Sequence, residues 1–132
     1  MSRDVVTIEL DRNPPDYPAG GTLSGSWTLS ADLDREVRAA ELSVLWYTEG
    51  KGDEDIGVHH FERLSAEEGT VVAPREWARF SVRLPRSPLS YDGVIVKVCW
   101  CVRVRAFWDA GEAVGEAPFR LGDVARAEEV HA

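Results

Sequence analysis

Cys99 and Cys101, the adjacent pair His59 and His60, and the acidic run Glu49–Gly57 are the residues whose types could do chemistry. A thiol becomes a nucleophile when nearby positive charge lowers its pKa, and Lys97 and Arg103 alternate with the two cysteines along the same face of an extended chain. No histidine or other base is placed by the sequence to activate them. Extended, their Cα atoms would lie about 6.5–7 Å apart, at the edge of what a disulfide tolerates. They read as free thiols of a reducing, cytoplasmic compartment. Neighbouring strand residues point to opposite faces, so His59 and His60 are not expected to share a metal. The loop "EGKGDEDIG" fails the EF-hand register: counted from Asp53, the fifth position is Gly57 and the twelfth is Leu64, which cannot ligate. "TLSGSW" does not match a Gly-x-Ser-x-Gly elbow, and no glycine-rich phosphate loop leads from a strand into a helix. The expectation is a protein that is not an enzyme, with no metal and no cofactor.

Recognition chemistry is better represented. Lys97, Arg103 and Arg105 alternate along one segment, and Arg79 and Arg83 alternate along the strand before it. On one sheet these would form a basic stripe suited to an acidic or phosphorylated peptide. The competing reading pairs them across strands with carboxylates such as Glu9, Glu41 or Glu62. Tyr47 and Trp77 lie off the apolar rows and are candidates for exposed anchors.

Strands must position all of these. "VVTIEL" places Val6, Ile8 and Leu10 on one face, "TLSGSWTL" places Leu23, Gly25, Trp27 and Leu29, and "AELSVLWYT" places Leu42, Val44 and Trp46. "VHHFERL" is a weaker strand, and "WARFSVRL" a clear one through Ala78, Phe80, Val82 and Leu84. The longest row is Val94, Val96, Val98, Trp100, Val102, Val104, Ala106 and Trp108, with Lys97, Cys99, Cys101, Arg103 and Arg105 on the opposite face. Period two with charges on one side means a half-buried strand rather than a membrane helix. A strand of this length is expected to bend or bulge midway. After "DAG" a last strand ends at "APFRLG". Seven strands with apolar faces predict two antiparallel sheets packed face to face: an all-β, immunoglobulin-like sandwich over residues 1–122, with a short tail over 123–132.

At 132 residues the chain is long enough for one domain with its own core. Its net charge of −8 argues against nucleic acid as a partner and disfavours an anionic membrane surface. "MSRDVVTIEL" lacks the parts of a signal peptide, and no apolar window is long enough for a membrane helix, so no integral membrane segment is expected.

Two segments resemble the N-terminal lobe of the arrestin family and its trafficking relatives. "IELDRNPPDYPAGGTLSGSWTL" is similar to that family's apolar strand, Asp-Lys/Arg, Tyr-x-Pro-Gly-Glu-x-Val-x-Gly and second strand. "LPRSPLSYDGVIVKVCWCVRVRAF" resembles its Leu-Pro, Ser-Phe/Tyr-Glu/Asp-Gly and following Lys/Arg-Ile/Val-x-Tyr/Trp-x-Val-Lys/Arg strand. "WYTEGKG" and Glu116–Phe119 fall where the family has similar features, so the likeness runs over residues 4–122. Pro18-Ala19 and Gly21 depart from the pattern, and no lysine pair precedes Val5. The receptor-phosphate sensing of the visual arrestins therefore does not carry over. The resemblance implies an arrestin-like sandwich acting as a non-enzymatic protein-interaction adaptor or scaffold, with a homodimer as one expected assembly. The alternative is a sandwich that binds a small ligand or carbohydrate by stacking it on Trp77 and Trp108.

Overall fold

The structure, a computed structural model, describes residues 5–30, 36–52, 54–65 and 76–122. Among the described residues nine strands run in chain order: β1 (Val6–Leu10), β2 (Asp16–Tyr17), β3 (Thr22–Leu29), β4 (Ala39–Gly50), β5 (Ile56–Ser65), β6 (Ala78–Arg83), β7 (Tyr91–Asp92), β8 (Val96–Trp108) and β9 (Gly111–Leu121). They form a small sheet in the order β1-β3-β6 and a large one in the order β2-β9-β8-β4-β5, with β7 also pairing β8. Pairing is antiparallel except for the short parallel contact of β2 with β9. The expected two-sheet sandwich is present. It has two more strands than expected because the proline-rich connections contribute the two-residue strands β2 and β7. The tail 123–132 lies outside the described residues.

The inward rows explain why the sheets stack. Leu23, Trp27 and Leu29 of β3, Phe80 and Val82 of β6, Leu42 and Val44 of β4, and Trp100, Val102, Val104 and Ala106 of β8 are buried in one cluster with Phe119 and Leu121 of β9. Removing a Val, Leu or Phe side chain from water contributes roughly 1.5–3 kcal/mol. Trp100 is 1% exposed and sits at the middle of this interior. Its ring centroid is 5.8 Å from that of Phe119, which meets Tyr17 edge-on at 5.7 Å. Its indole Nε1 donates to the Pro88 carbonyl at 2.7 Å, so the same side chain pins the segment leading into β7.

Three expectations are corrected. The long strand starts at Val96, and Val94 is fully exposed rather than part of the apolar row. The backbone turns there: Gly93 N–H donates to the Val96 carbonyl and Lys51 N–H to the Ile95 carbonyl. Gly50, at φ 132°, brings the end of β4 so close that an added Cβ would lie 2.1 Å from the Ile95 oxygen, so only glycine fits.

Second, β8 does not bulge against β4. Twelve partners run without a shift from Ala39↔Phe107 to Gly50↔Val96. The irregularity lies in β5, where Val44 pairs with His60 and Leu45 with Val58. His59 is the extra residue. Third, this bulge defeats the alternation expected of the two histidines. His60 stands opposite inward Val44, and His59 also turns inward, donating from Nε2 to the Arg83 carbonyl at 2.7 Å and meeting Trp100 edge-on.

Truncation at the centre gives the test of this interior. Trp100→Ala should lower unfolding free energy by ~3–5 kcal/mol. Trp100→Phe should cost about 1–3 kcal/mol, because it leaves the Pro88 carbonyl unpaired. Urea unfolding that finds both variants as stable as the wild type would remove Trp100 from the core.

Candidate functional site

The basic residues do not form one stripe. Arg79 and Arg83 belong to β6 of the small sheet, whereas Lys97, Arg103 and Arg105 lie on β8 of the large one. Because β6 pairs with β3 and not with β8, the two groups occupy opposite outer faces of the sandwich. Most are engaged. Arg103 Nε contacts Glu116 at 2.6 Å, Arg105 reaches Glu112 at 3.5 Å, and Lys97 lies 3.6 Å from Asp92. Arg83 Nε donates to the Gly20 carbonyl at 2.9 Å.

The anticipated cross-strand pairing therefore occurs with other carboxylates. Glu41 pairs with Arg63, and Glu62 with His60. Arg79 grips Asp11 with both guanidinium arms at 2.7 and 2.9 Å. These hydrogen bonds, joined by one from Ser24, hold the Asp11 carboxyl down at about 2.

What the fold brings together instead is a cleft on the outer side of the large sheet. Its origin is a change of neighbour along one edge of β8. Lys97 and Val98 pair with Asp92 and Tyr91 of β7, while Trp100 and the residues after it pair with β9. Cys99 sits at the handover, between the two partners. The result is a recess of about 300 Å³ lined by Tyr47, Glu49, Tyr91, Lys97, Cys99, Pro118 and Arg120 among others.

Its walls are fastened together. Ser90 N–H donates to the Leu121 carbonyl, Leu121 N–H donates back to Ser90 Oγ, each at 2.8 Å, and Trp100 holds Pro88 from beneath. Tyr47, opposite Cys99 in the β4–β8 register, forms the aromatic side on the outer face; Tyr91, 58% exposed, lines the recess from β7, where it stands opposite Val98 and its ring packs over Gly93.

Burial sets the protonation of the groups that line the recess. Burial pushes the Cys99 thiol up, with Glu49 adding to the effect from 3.8 Å. Burial likewise pushes Cys101 up to about 11. Both thiols are free and protonated near neutrality, which makes them poor nucleophiles. Partial burial also raises the Tyr47 phenol, so it serves as a neutral donor. Lys97 and Arg120 supply positive charge at the rim, and Glu49 and Asp92 negative charge.

Of the residues singled out in the sequence, Tyr47 and Lys97 enter this cleft. Arg103 and Arg105 lie further along β8, and Trp77, 46% exposed, precedes β6 on the other sheet. Trp108 lies half-buried at the β8–β9 turn, on a different sheet from Trp77. Tyr91 and Arg120 are not among the residues the sequence singles out; nothing in "SYDG" signals that its tyrosine pairs with β8. Among the described residues no group of three or more His, Cys, Asp or Glu side chains could hold a metal ion, and no helix is long and apolar enough to cross a membrane.

No family model and no curated protein matches the chain. Among solved structures it is similar to the sporulation control protein Spo0M from Bacillus subtilis, at a TM-score of 0.63 and 16% identity. The match covers 96% of this chain and 54% of that one, so the chain spans about half the length of the solved protein. At this identity the likeness shows the fold, an open arrestin-like β-sandwich.

The Asp11–Arg79 pair gives a direct measurement. Asp11 is an acid whose pKa falls on folding, so its contribution to stability is present in full above about 4. It is lost as the pH drops from there through about 2. In Arg79→Met the carboxyl should titrate most of the way back toward 3.8 by NMR. A midpoint left near the wild-type value would show that Arg79 is not what holds it down.

Proposed function

We propose that this protein is a non-enzymatic interaction module, a regulatory adaptor or scaffold, that docks a short segment of another protein in the β7–β9 cleft. The observation that carries the reading is the convergence of Tyr47, Tyr91, Lys97 and Arg120 around one recess on a sheet face whose other cations are already paired. An apolar or aromatic side chain of the partner would sit against Tyr47. An acidic group, carboxylate or phosphate, would meet Lys97 and Arg120. The Lys97–Asp92 contact is long and both side chains are more than half exposed, so little is lost when Lys97 turns to a ligand. Arg120 contributes a fork of donors that suits such a group. The arrestin-like fold supports the same reading, since a sandwich with rigid sheets and firm loop ends presents a preformed surface. Protonated, reduced thiols are consistent with action in the cytoplasm.

Affinity capture from the native host tests this with two charge reversals. Lys97→Glu/Arg120→Glu should lose the partners recovered by the wild type, while Arg103→Glu/Arg105→Glu should keep them. Recovery of the same proteins with the cleft variant, its thermal unfolding unchanged, would place docking elsewhere.

A further inference from the structure

We infer that the outer face of β5 is a contact between two copies of this chain, formed by antiparallel β5 strands related by a two-fold axis. This does not rest on the cleft. The order β2-β9-β8-β4-β5 leaves β5 at the edge of the large sheet. The edge presents an apolar row to solvent: Ile56 is 60% exposed, Val58 59% and Phe61 53%. Leu45 lies beside Val58 in the register and is buried on this same outer face. An edge strand ordinarily turns lysine, proline or charge outward to avoid such contacts, and this row carries none between Ile56 and Phe61.

The bulge makes the row self-matching. On the entry side of His59 the outward residues are Ile56 and Val58, and on the exit side they are Phe61 and Arg63. Antiparallel copies therefore lay Ile56 and Val58 of one against Phe61 of the other, twice, about the axis. The charges choose the occupant. The strand is entered through Glu54 and Asp55, both exposed, and leaves through Arg63, half exposed. Opposite signs at the two ends suit no ligand of a single sign, and they suit an antiparallel copy. Arg63 donates one nitrogen to Glu41 at 2.6 Å and lies 5.9 Å from the Phe107 ring centroid; of its five donors the described residues engage one by hydrogen bond, and the others can turn to the acidic end of the second copy. The irregular backbone at His59 keeps the two edges from zipping into a continuous ladder, so side chains carry the contact and it closes as a pair.

Sedimentation equilibrium at about 0.15 M salt, where repulsion between two acidic chains is screened beyond about 8 Å, reads the outcome. The wild type should show a reversible monomer–dimer equilibrium. Val58→Glu should weaken it tenfold or more with thermal unfolding unchanged, and Trp77→Ala, on the other sheet, should leave it as it was. Arg63→Glu should weaken it as well, and Glu54→Arg/Asp55→Arg added to Arg63→Glu should restore it. A wild type that stays monomeric at about 1 mM, a dimer indifferent to Val58→Glu, or a triple variant no tighter than Arg63→Glu would each overturn the inference. Lys97→Glu/Arg120→Glu should not change the mass, so loss of the cleft's partner and loss of the dimer are read separately.

Discussion

The inward row of β8 is the constraint on which the rest of this protein depends. Trp100, Val102, Val104 and Ala106 are buried without gaps because β8 is held on one edge by the full length of β4 and on the other by β9 and β7. Once that row faces the small sheet, the period of two fixes its opposite face. Cys99, Cys101, Arg103 and Arg105 must then lie on the solvent side of the large sheet, whatever their chemistry. The same row fixes the recess: Trp100 reaches Pro88 from inside, and Ser90 ties the segment to the end of β9, so β7 is held where it can pair only with the first part of β8. Interior and surface are two readings of one strand.

The surface has two halves of different character. Toward the β8–β9 turn, cross-strand pairs of opposite sign, Arg103 with Glu116 and Arg105 with Glu112, leave little free charge. Exposed pairs of this kind add little stability, but they neutralise cations that would otherwise compete for an anionic partner. At the other end the pairing is looser, aromatic rings and aliphatic side chains are exposed, and the backbone is irregular at His59 and at Gly93. Recognition belongs there on physical grounds. Groups that are not already satisfied by the fold are the ones available to a partner.

Much of this was legible in the sequence, and the misses have identifiable causes. Alternation in "VKVCWCVRVRAF" revealed a half-buried strand because its period survives burial, and the apolar rows of β3, β4 and β6 did so for the same reason. Alternation also ran on through Val94, where the pattern has no way to register that Gly50 and Ile95 abut and turn the chain. A bulge changes which face a residue takes without changing its type, so His59 carried no mark of it. Arg79 and Arg83 look continuous with Arg103 and Arg105 because their strands are neighbours in sequence; the long-range pairing of β6 with β3 puts them on different sheets. The cleft was invisible for a similar reason. It arises from a change of partner along β8, which brings Tyr91 and Arg120 together from segments that show nothing unusual alone.

Amide hydrogen exchange tests the place of β8 most directly. If this strand is the hub, the amides of Trp100–Val104 exchange only through global unfolding, while those of β5 and β7, each paired on one edge among the described residues, exchange faster through local opening. Amides in Trp100–Val104 that exchange as fast as those of β5 would contradict the account, because no other strand would then hold the interior and the outer face in register.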